Sequence, residues 1–428
     1  MGTMKYRQQT GRHPFLRRAA TLAAVLVLSV FLTMWRHNAS DYLTGNWDRY
    51  SQDLVFGRIL QMQQDQSAPG GFLGSYTPEW GDTQNRGMFR EGAAPAATEF
   101  VSYTHQSGLQ GTLLGLVNRG LRGLFPDGAR REMLLYTVNS VLFYAAVLCV
   151  CLAVWRTVGA LPGAACLTAV LLAPWVQRGM KDLYWCLWTW LLPLLAALLV
   201  CRLRRRWCYA VVFAAVLARC LCGFEFISAL LILCELPLVY CFFACPEQRH
   251  DWFVRMTGVG FAAVGGVAAA LGVWLWQGRL YFGSWAESAA NIAQTVSLRV
   301  TALESASLPE STVTVREVLR LYFVQDATPL LQLGPLSLTV RGLLAVTGVL
   351  LAAALLLRWR EVLPMAAVWG ISLLGPVSWM VLSKTHSAVH THLMPMLWHF
   401  AFVPCTCILW AVLLQTVWKR RRRSCGTP

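Results

Sequence analysis

Apolar runs of about twenty residues recur along most of this chain, and they restrict its fold more than any other feature. A helix needs roughly 20 apolar residues to cross the hydrocarbon core of a bilayer. Only 14% of the residues are charged, against about 25% in a typical soluble domain. The sequence therefore predicts an all-α, polytopic helical membrane protein. The ten predicted spans are Ala19–Trp35, Met133–Trp155, Val158–Val176, Leu183–Cys201, Trp207–Cys222, Phe226–Cys245, Trp252–Trp276, Gly342–Leu357, Val362–Leu382 and Leu397–Val417.

The basic residues lie unevenly around these spans. With ten spans, the segments on one side of the membrane carry "RLRRR" from Arg202, "RWR" from Arg358 and "KRRRR" from Lys419, whereas the short loops opposite carry few cations. Lys and Arg are enriched in the cytoplasmic segments of membrane proteins. We therefore expect a bacterial cytoplasmic membrane protein with both termini in the cytoplasm. Two long hydrophilic loops, 36–132 and 277–341, would then lie on the outer face.

The same distribution argues against several classes of protein. The net charge is +16, but the cations gather at the ends of apolar runs, so nucleic acid is not an expected partner. The cysteines avoid both long loops, which is unlike a secreted disulfide framework. No Walker motif, Rossmann glycine fingerprint or nucleophile elbow occurs, so nucleotide hydrolysis and serine esterase chemistry have no support.

The first long loop begins with "SDYLTGNWDRYSQDLVFGRIL", which places Asp41, Asp48 and Asp53 soon after the first span. A carboxylate just above the headgroups can reach both a membrane-anchored phosphate ester and an acceptor in water. It can act as a general base, or hold a divalent metal against a diphosphate. The alternative is that these acids are solvated loop residues without a chemical role.

Helical spacing in this loop predicts two amphipathic helices at the membrane interface. Each would present one apolar face to the lipid. The residues of these faces are Leu43, Trp47, Tyr50 and Leu54 in the first helix, and Leu109, Leu113, Leu116, Val117 and Leu121 in the second.

Three shorter outer segments combine charged or histidine side chains. "VQRGMKDLYW" places an acid beside two cations, which suits a lipid phosphate. "LSKTHSAVHTHLMP" places three histidines beside a lysine, two of them four residues apart as in zinc sites. In "ARCLCGFEF" a cation and an acid bracket a turn. The candidate phosphate- or substrate-binding residues are Arg178, Lys181, Arg219, Glu225, Lys384, His386, His390 and His392. A snorkelling loop and interfacial histidines without special duty remain alternatives.

Glu235 lies near the middle of the sixth predicted span. An acid at bilayer depth is costly, and by default it marks a functional or helix-pairing site. The alternative is a protonated carboxyl bonded to the backbone carbonyl that Pro237 leaves free.

The layout of long loops and acids resembles the GT-C superfamily of integral-membrane glycosyltransferases. In that family a first span, a long outer loop with two interfacial helices and catalytic acids, and six further spans form a shared module. On this pattern the chain divides into a basic N-terminus (1–18), a seven-helix module (19–276), a second outer loop (277–341), three C-terminal helices (342–417) and a basic tail (418–428). The family often shows paired acids in the first loop, whereas here they are spread out.

The resemblance implies a site and a reaction. Asp48 is the first choice for catalytic base or metal ligand, followed by Asp53 and Asp41. Asp182 matches the further acid that family members commonly carry between the third and fourth spans. The donor would be a polyprenyl-phosphate-linked sugar, and the acceptor an envelope glycan, lipid or protein. A divalent ion, Mg or Mn, is the cofactor that such a site can hold, with Asp48, Asp182 and His390 as candidate ligands.

Two other functions are alternatives. A polysaccharide polymerase or ligase also has large outer loops but relies more on arginines. A transporter or flippase for a lipid-linked substrate would place its key residues at mid-membrane, as Glu235 is. Inverted repeats and broken helices would be expected there, and no convincing repeat is present.

Overall fold

A computed structural model describes residues 14–38, 48–64, 68–76, 84–93, 99–300, 313–357 and 359–425. Their regular structure is helical apart from four three-residue strands, so the all-α class is confirmed. The strands pair antiparallel, β1 (Leu73–Ser75) with β2 (Val101–Tyr103) and β3 (Leu331–Leu333) with β4 (Leu336–Leu338). The α-helices of these residues are α1 (Pro14–Asn38), α2 (Arg49–Gln63), α3 (Gln84–Glu91), α4 (Leu109–Arg122), α5 (Gly128–Thr157), α6 (Ala160–Leu171), α7 (Pro174–Gly179), α8 (Trp188–Leu203), α9 (Trp207–Cys222), α10 (Ile227–Ala244), α11 (Arg249–Phe282), α12 (Trp285–Val300), α13 (Val315–Arg320), α14 (Val340–Leu357), α15 (Trp359–Leu382), α16 (Lys384–Val389), α17 (Met394–Phe400) and α18 (Phe402–Cys425).

Several helices are long and apolar enough to cross a bilayer, which indicates a membrane-embedded protein. Among the described residues these segments are Ala19–Arg36, Gly128–Thr157, Ile227–Ala244, Pro246–Phe282, Arg360–Leu382 and Thr391–Trp418. Shorter apolar helices are Ala160–Leu171, Trp188–Leu203, Trp207–Cys222 and Val340–Ala354. Each of the ten predicted spans overlaps one of these segments. Because the second group is shorter than a bilayer requires, the ten-span count stays a prediction.

Helix α10 lies inside the bundle and packs against α8, α11 and α15. Its leucines Leu230, Leu233 and Leu238 are buried. Beside it, α9 and α11 approach closely through Gly266, where an added Cβ would lie 2.7 Å from the backbone oxygen of Phe213. Small residues allow such contacts, and close packing is what holds helices together in a membrane.

Two predicted spans are interrupted, each near a proline. The third was expected to run over Val158–Val176, but α6 ends at Leu171 and α7 begins at Pro174. The last was expected over Leu397–Val417, but Ala401 has a non-helical backbone between α17 and α18. Proline has no N–H and disfavours helical geometry in the residue before it, so Pro174 and Pro404 limit these helices.

The long connections meet at one end of the bundle, which we call the loop end: the described residues within 48–127, 172–187, 223–226, 283–339 and 383–401. Contacts across it include the N–H of Gln332 with the carbonyl of Leu172 at 2.9 Å. The opposite end, which we call the basic end, contains the turn of Arg202–Arg206, where Arg204 donates to Gln248 at 3.0 Å. The arginine-rich turn and the long loops thus lie at opposite ends, and which end faces the cytoplasm stays a prediction.

Helices α2 and α4 form where the two amphipathic helices of the first loop were predicted, and they pack together at the loop end. Helix α2 is not the predicted interfacial helix, because it is buried on several sides, with Val55, Phe56 and Ile59 fully buried. A Cβ on Gly115 would lie 2.4 Å from the sulfur of Met62, so a larger residue there would require the Met62 side chain to move. On the other face of α4, Leu113, Leu116 and Val117 are exposed. An exposed apolar face is typical of a helix lying in the membrane interface. The predicted contacts of Leu43 and Trp47 lie outside the described residues.

Candidate functional site

Asp48 is fixed at the start of α2 by two donors. It is the N-cap residue, and its Oδ1 accepts the N–H of Ser51 at 3.3 Å. Its Oδ2 accepts the indole N–H of Trp185 at 2.8 Å, from a segment 137 residues away. Aspartate is favoured at this position because its side chain satisfies a free N–H of the first helical turn. The carboxylate is therefore held at the loop end in one orientation.

Asp182 lies close to Asp48, in the buried turn between α7 and α8. Its Oδ1 accepts the backbone N–H groups of Tyr184 at 2.9 Å and Trp185 at 3.1 Å, so Trp185 contacts both acids. Burial, followed by the negative charge of Asp48, raises the pKa of the Asp182 carboxyl well above its usual value. Two adjacent carboxylates do not both ionise readily, which favours the protonated form of Asp182.

Buried amide side chains hold the Asp182 turn against the first loop. Gln52 on α2 accepts the N–H of Leu183 at 2.9 Å. Asn139 on α5 donates to the carbonyl of Asp182 at 3.0 Å, and Gln110 on α4 donates to that of Tyr184 at 3.0 Å. Irregular backbone inside a protein needs such partners, because an unpaired buried N–H or C=O is costly. The sequence between α7 and α8 can therefore adopt this turn only against the first loop.

Arg299 and Glu225 form a largely buried ion pair beside these acids. The Nη2 of Arg299, at the end of α12, lies 2.7 Å from Oε1 of Glu225 in the turn between α9 and α10. The two side chains are 18% and 5% exposed. Arg219, on the last turn of α9, donates to the backbone carbonyl of Glu225 at 3.3 Å and stacks over the ring of Trp190. Two guanidinium groups therefore contact one glutamate.

Tyr103 and Tyr184 lie between the acids and the ion pair. The two phenols are hydrogen-bonded, and Tyr184 also donates to Gln106 at 3.2 Å. Burial raises the pKa of Tyr103 to about 12, with Arg299 acting in the opposite direction. The phenol therefore remains a hydrogen-bond donor at neutral pH.

The three predicted histidines lie together at the loop end. The ring centroids of His386 and His390 are 4.6 Å apart, and those of His390 and His392 are 5.8 Å apart. His390 feels the charges of Asp48, Glu225 and Arg299. Burial, followed by the neighbouring histidine, lowers the pKa of both His386 and His390. These rings are therefore neutral hydrogen-bonding groups at neutral pH, which disfavours the predicted binding of phosphate by imidazolium.

A second group of charges lies on the other side of Asp182. Glu132 pairs with Arg86 and, at 3.2 Å, with Arg90. Burial, followed by the charge of Arg86, lowers the pKa of Lys181 to about 8, while Asp182 and Glu132 act in the opposite direction. Lys181 is thus a cation near neutral pH that can also give up a proton.

The remaining predicted residues are placed differently. Asp53 is buried against α3, where it accepts the N–H of Arg86 at 2.8 Å and both N–H groups of Asn85, so its hydrogen bonds are those of a helix cap. Arg178 is exposed and stacks on the ring of Trp175. Lys384 begins α16 and is half-buried. Asp41 lies outside the described residues.

The predicted metal ligands do not form a metal site in this geometry. Among the residues that the structure describes, no three His, Cys, Asp or Glu side chains are grouped so that they can hold a metal ion. Asp48, Asp182 and His390 are neighbours, but both oxygens of Asp48 and the Oδ1 of Asp182 already accept N–H donors.

Arg299 is the main residue that sequence reasoning missed. A polar stripe on α12, spaced three, four and four residues apart, is the signal that marks it: Ser288, Asn291, Thr295 and Arg299. Asn291 donates to the carbonyl of Thr104 at 3.1 Å, and Thr295 contacts His105 at 2.8 Å. The stripe thus attaches α12 to the first loop and brings Arg299 to Glu225.

We name Asp48, Asp182, Glu225, Arg299 and His390 the loop-end cluster. Its members come from five separate segments of the chain, and it combines an acid pair, a cation and a neutral imidazole at the end of an apolar bundle. Such a set can remove a proton from a hydroxyl and stabilise negative charge on a leaving group. Comparisons with models of protein families, with curated proteins and with solved structures found no match to this chain.

Proposed function

We propose that this chain is a membrane glycosyltransferase. It moves a sugar from a polyprenyl-phosphate-linked donor to a glycan, lipid or protein acceptor at the outer face of the membrane. The observation that carries the proposal is the meeting of Asp48 and Asp182 with Arg299 and His390 at the loop end. Catalytic groups at the end of an apolar bundle can reach a lipid-anchored phosphate and an acceptor in water together.

Each group has a role in this reaction. The Asp48 carboxylate removes the proton of the acceptor hydroxyl, because its two donors hold it in one orientation at the loop end. Arg299 stabilises the negative charge that develops on the departing phosphate. Asp182, with its raised pKa, hydrogen-bonds as a neutral acid beside Asp48.

The first prediction concerns Asp48→Asn in purified protein reconstituted into liposomes. We expect sugar transfer from a panel of radiolabelled polyprenyl-phosphate sugars to fall roughly 100- to 10,000-fold, the range for loss of a general base. Asp127→Asn is the matched control, because Asp127 is also an N-cap in the first loop but is exposed. Asparagine caps helices as well as aspartate, so both variants should fold. Equal transfer by the Asp48→Asn variant and the wild type would overturn the proposal.

A lipid transporter is the second candidate function, and the position of Glu235 inside the bundle favours it. In α10, its Oε2 is buried with no hydrogen-bond partner among the described groups. A transporter would lose lipid translocation in Glu235→Gln and keep it in Asp48→Asn. A fluorescent lipid-phosphate translocation assay in the same liposomes separates the two functions.

A further inference from the structure

Two arginines contact Glu225 in the turn between α9 and α10. Arg299 contacts the side chain of Glu225 at 2.7 Å, whereas Arg219 contacts only its backbone carbonyl, at 3.3 Å. The side chain of Arg219 is 1% exposed, and its Nε has no hydrogen-bond partner among the described groups. A buried charged donor without a partner is costly, and natural structures seldom leave one without a purpose.

A second buried donor or acceptor without a partner lies nearby. The Nδ1 of His386 makes no hydrogen bond within the described part of the chain, and this ring feels the charge of Arg299. Tyr103, whose phenol remains protonated, lies close to the same guanidinium. Among the described groups, Arg219 and His386 therefore have unused hydrogen-bonding capacity near Arg299.

The chemistry of these groups matches a phosphate ester. Guanidinium groups bind phosphate through two parallel N–H donors, and phenol O–H and imidazole N–H groups can add single donors. Glu225 presents a carboxylate to the same guanidinium, so it occupies the position that an anionic ligand would take. A carboxylate from the protein and a phosphate oxygen would compete for this position.

We propose that Arg299 and Arg219 form a phosphate-binding subsite, which Glu225 occupies until a phosphate ester replaces its side chain. The inference rests on the proposed function in one respect, since it identifies the subsite that holds the donor phosphate. The ligand chemistry is an anionic phosphate group, either esterified to a lipid or free in water. Arg299 is then a binding residue, and Glu225 sets the affinity by competing with the ligand.

The test compares variants whose effects have opposite signs. In lipid nanodiscs, calorimetry should show that Arg299→Gln binds farnesyl phosphate about 10- to 100-fold more weakly, as expected for the loss of a charged hydrogen-bonding partner. Glu225→Gln should bind it several-fold more tightly, because the competing negative charge is gone. Arg320→Gln, an exposed arginine of the same loop, should match the wild type. A purely structural ion pair predicts no tightening in Glu225→Gln.

Two further variants keep the test decisive if one partner alone does not fold. Arg299→Lys keeps the charge but not the bidentate geometry, so we expect intermediate binding. The double variant Arg299→Gln, Glu225→Gln removes the buried charges together and should bind farnesyl phosphate as weakly as Arg299→Gln. Unchanged affinity in folded Arg299→Lys and in the double variant would overturn the proposal.

The choice of probes separates the ligand sources and the two proposals. Binding of farnesyl phosphate without binding of inorganic phosphate supports a lipid headgroup, and binding of both supports recognition of phosphate from either source. Equal binding of farnesol overturns the inference. Weaker binding in Arg299→Gln and tighter binding in Glu225→Gln, without any sugar transfer by the wild type, would support the subsite and reject the glycosyltransferase. Sugar transfer by the wild type, together with unaltered phosphate binding in Arg299→Gln, would support the glycosyltransferase and reject the subsite.

Discussion

Single carboxylates at the loop end have separate roles that follow from their donors. Asp48 accepts one side-chain and one backbone N–H, and it lies beside Asp182, Tyr103 and His390. Asp53, five residues along the same helix, instead accepts three N–H groups at the start of α3. A carboxylate with this many structural donors stabilises the fold, whereas one beside titratable groups is suited to chemistry.

Asp53→Ala should therefore destabilise the protein more than it changes catalysis. Several buried N–H donors would lose their acceptor, at a cost of about 3 kcal/mol in the free energy of unfolding. Thermal unfolding in nanodiscs measures this, with Asp326→Ala as the control because Asp326 accepts a single loop N–H, from Thr328. A variant with unchanged stability and no sugar transfer would instead give Asp53 the catalytic role that the sequence suggested.

Helix α16 and the residues after it form an element whose stability should depend on pH. His386 and His390 have pKa values below that of an unfolded chain, first because they are buried and then because they lie close to another histidine. Above about pH 6.5, both the folded and the unfolded forms are neutral, and these groups do not favour unfolding. Below that value the unfolded chain binds more protons, so stability falls as the pH falls toward the lowered pKa values.

The melting temperature should therefore decrease between about pH 7 and pH 5. His386→Gln should flatten this dependence, because glutamine keeps hydrogen-bonding capacity and does not titrate. Melting in nanodiscs across this range provides the measurement, and Lys384→Gln is a control on the same helix that should retain the slope. A His386→Gln slope identical to that of the wild type would contradict the role of this ring.

At the scale of helices, the sequence predicted the long apolar helices, because the thickness of the bilayer sets their length. Trp207–Cys222 was predicted with the boundaries that α9 has, because "RLRRR" precedes it and Gly223 follows. Contacts between segments that lie far apart in the sequence were harder to predict from the sequence. The proximity of Asp48 and Asp182 was expected only from the resemblance to a family. Arg299 was missed because the polar stripe of α12 looks like a solvated helix face in the sequence. Only the structure shows that this stripe contacts Thr104 and His105.

For the whole molecule, the position of the arginine-rich turn opposite the long loops is the feature on which the proposed orientation depends. The loop-end cluster contains acids and one cation from the second loop, while Arg202–Arg206 lies at the basic end. Because arginine-rich segments tend to remain in the cytoplasm, we expect this turn to lie on the cytoplasmic side. The proposed chemistry then occurs outside the cell, where polyprenyl-linked sugars presented on the outer leaflet can reach Asp48.

This orientation can be measured with alkaline phosphatase and green fluorescent protein fused at defined positions. Fusions after Gly123 and after Gly283, both at the loop end, should show phosphatase activity, which requires export from the cytoplasm. Fusions after Arg206 and after Pro428 should show fluorescence instead, because the basic segments are retained inside. Replacing the four arginines of "RLRRR" by glutamine should weaken the cytoplasmic retention of the fusion after Arg206. As a control, the same number of substitutions at exposed loop-end glutamines should leave this retention unchanged. Phosphatase activity after Arg206 in the unaltered chain would place the acid pair in the cytoplasm and remove the basis for a reaction at the outer face.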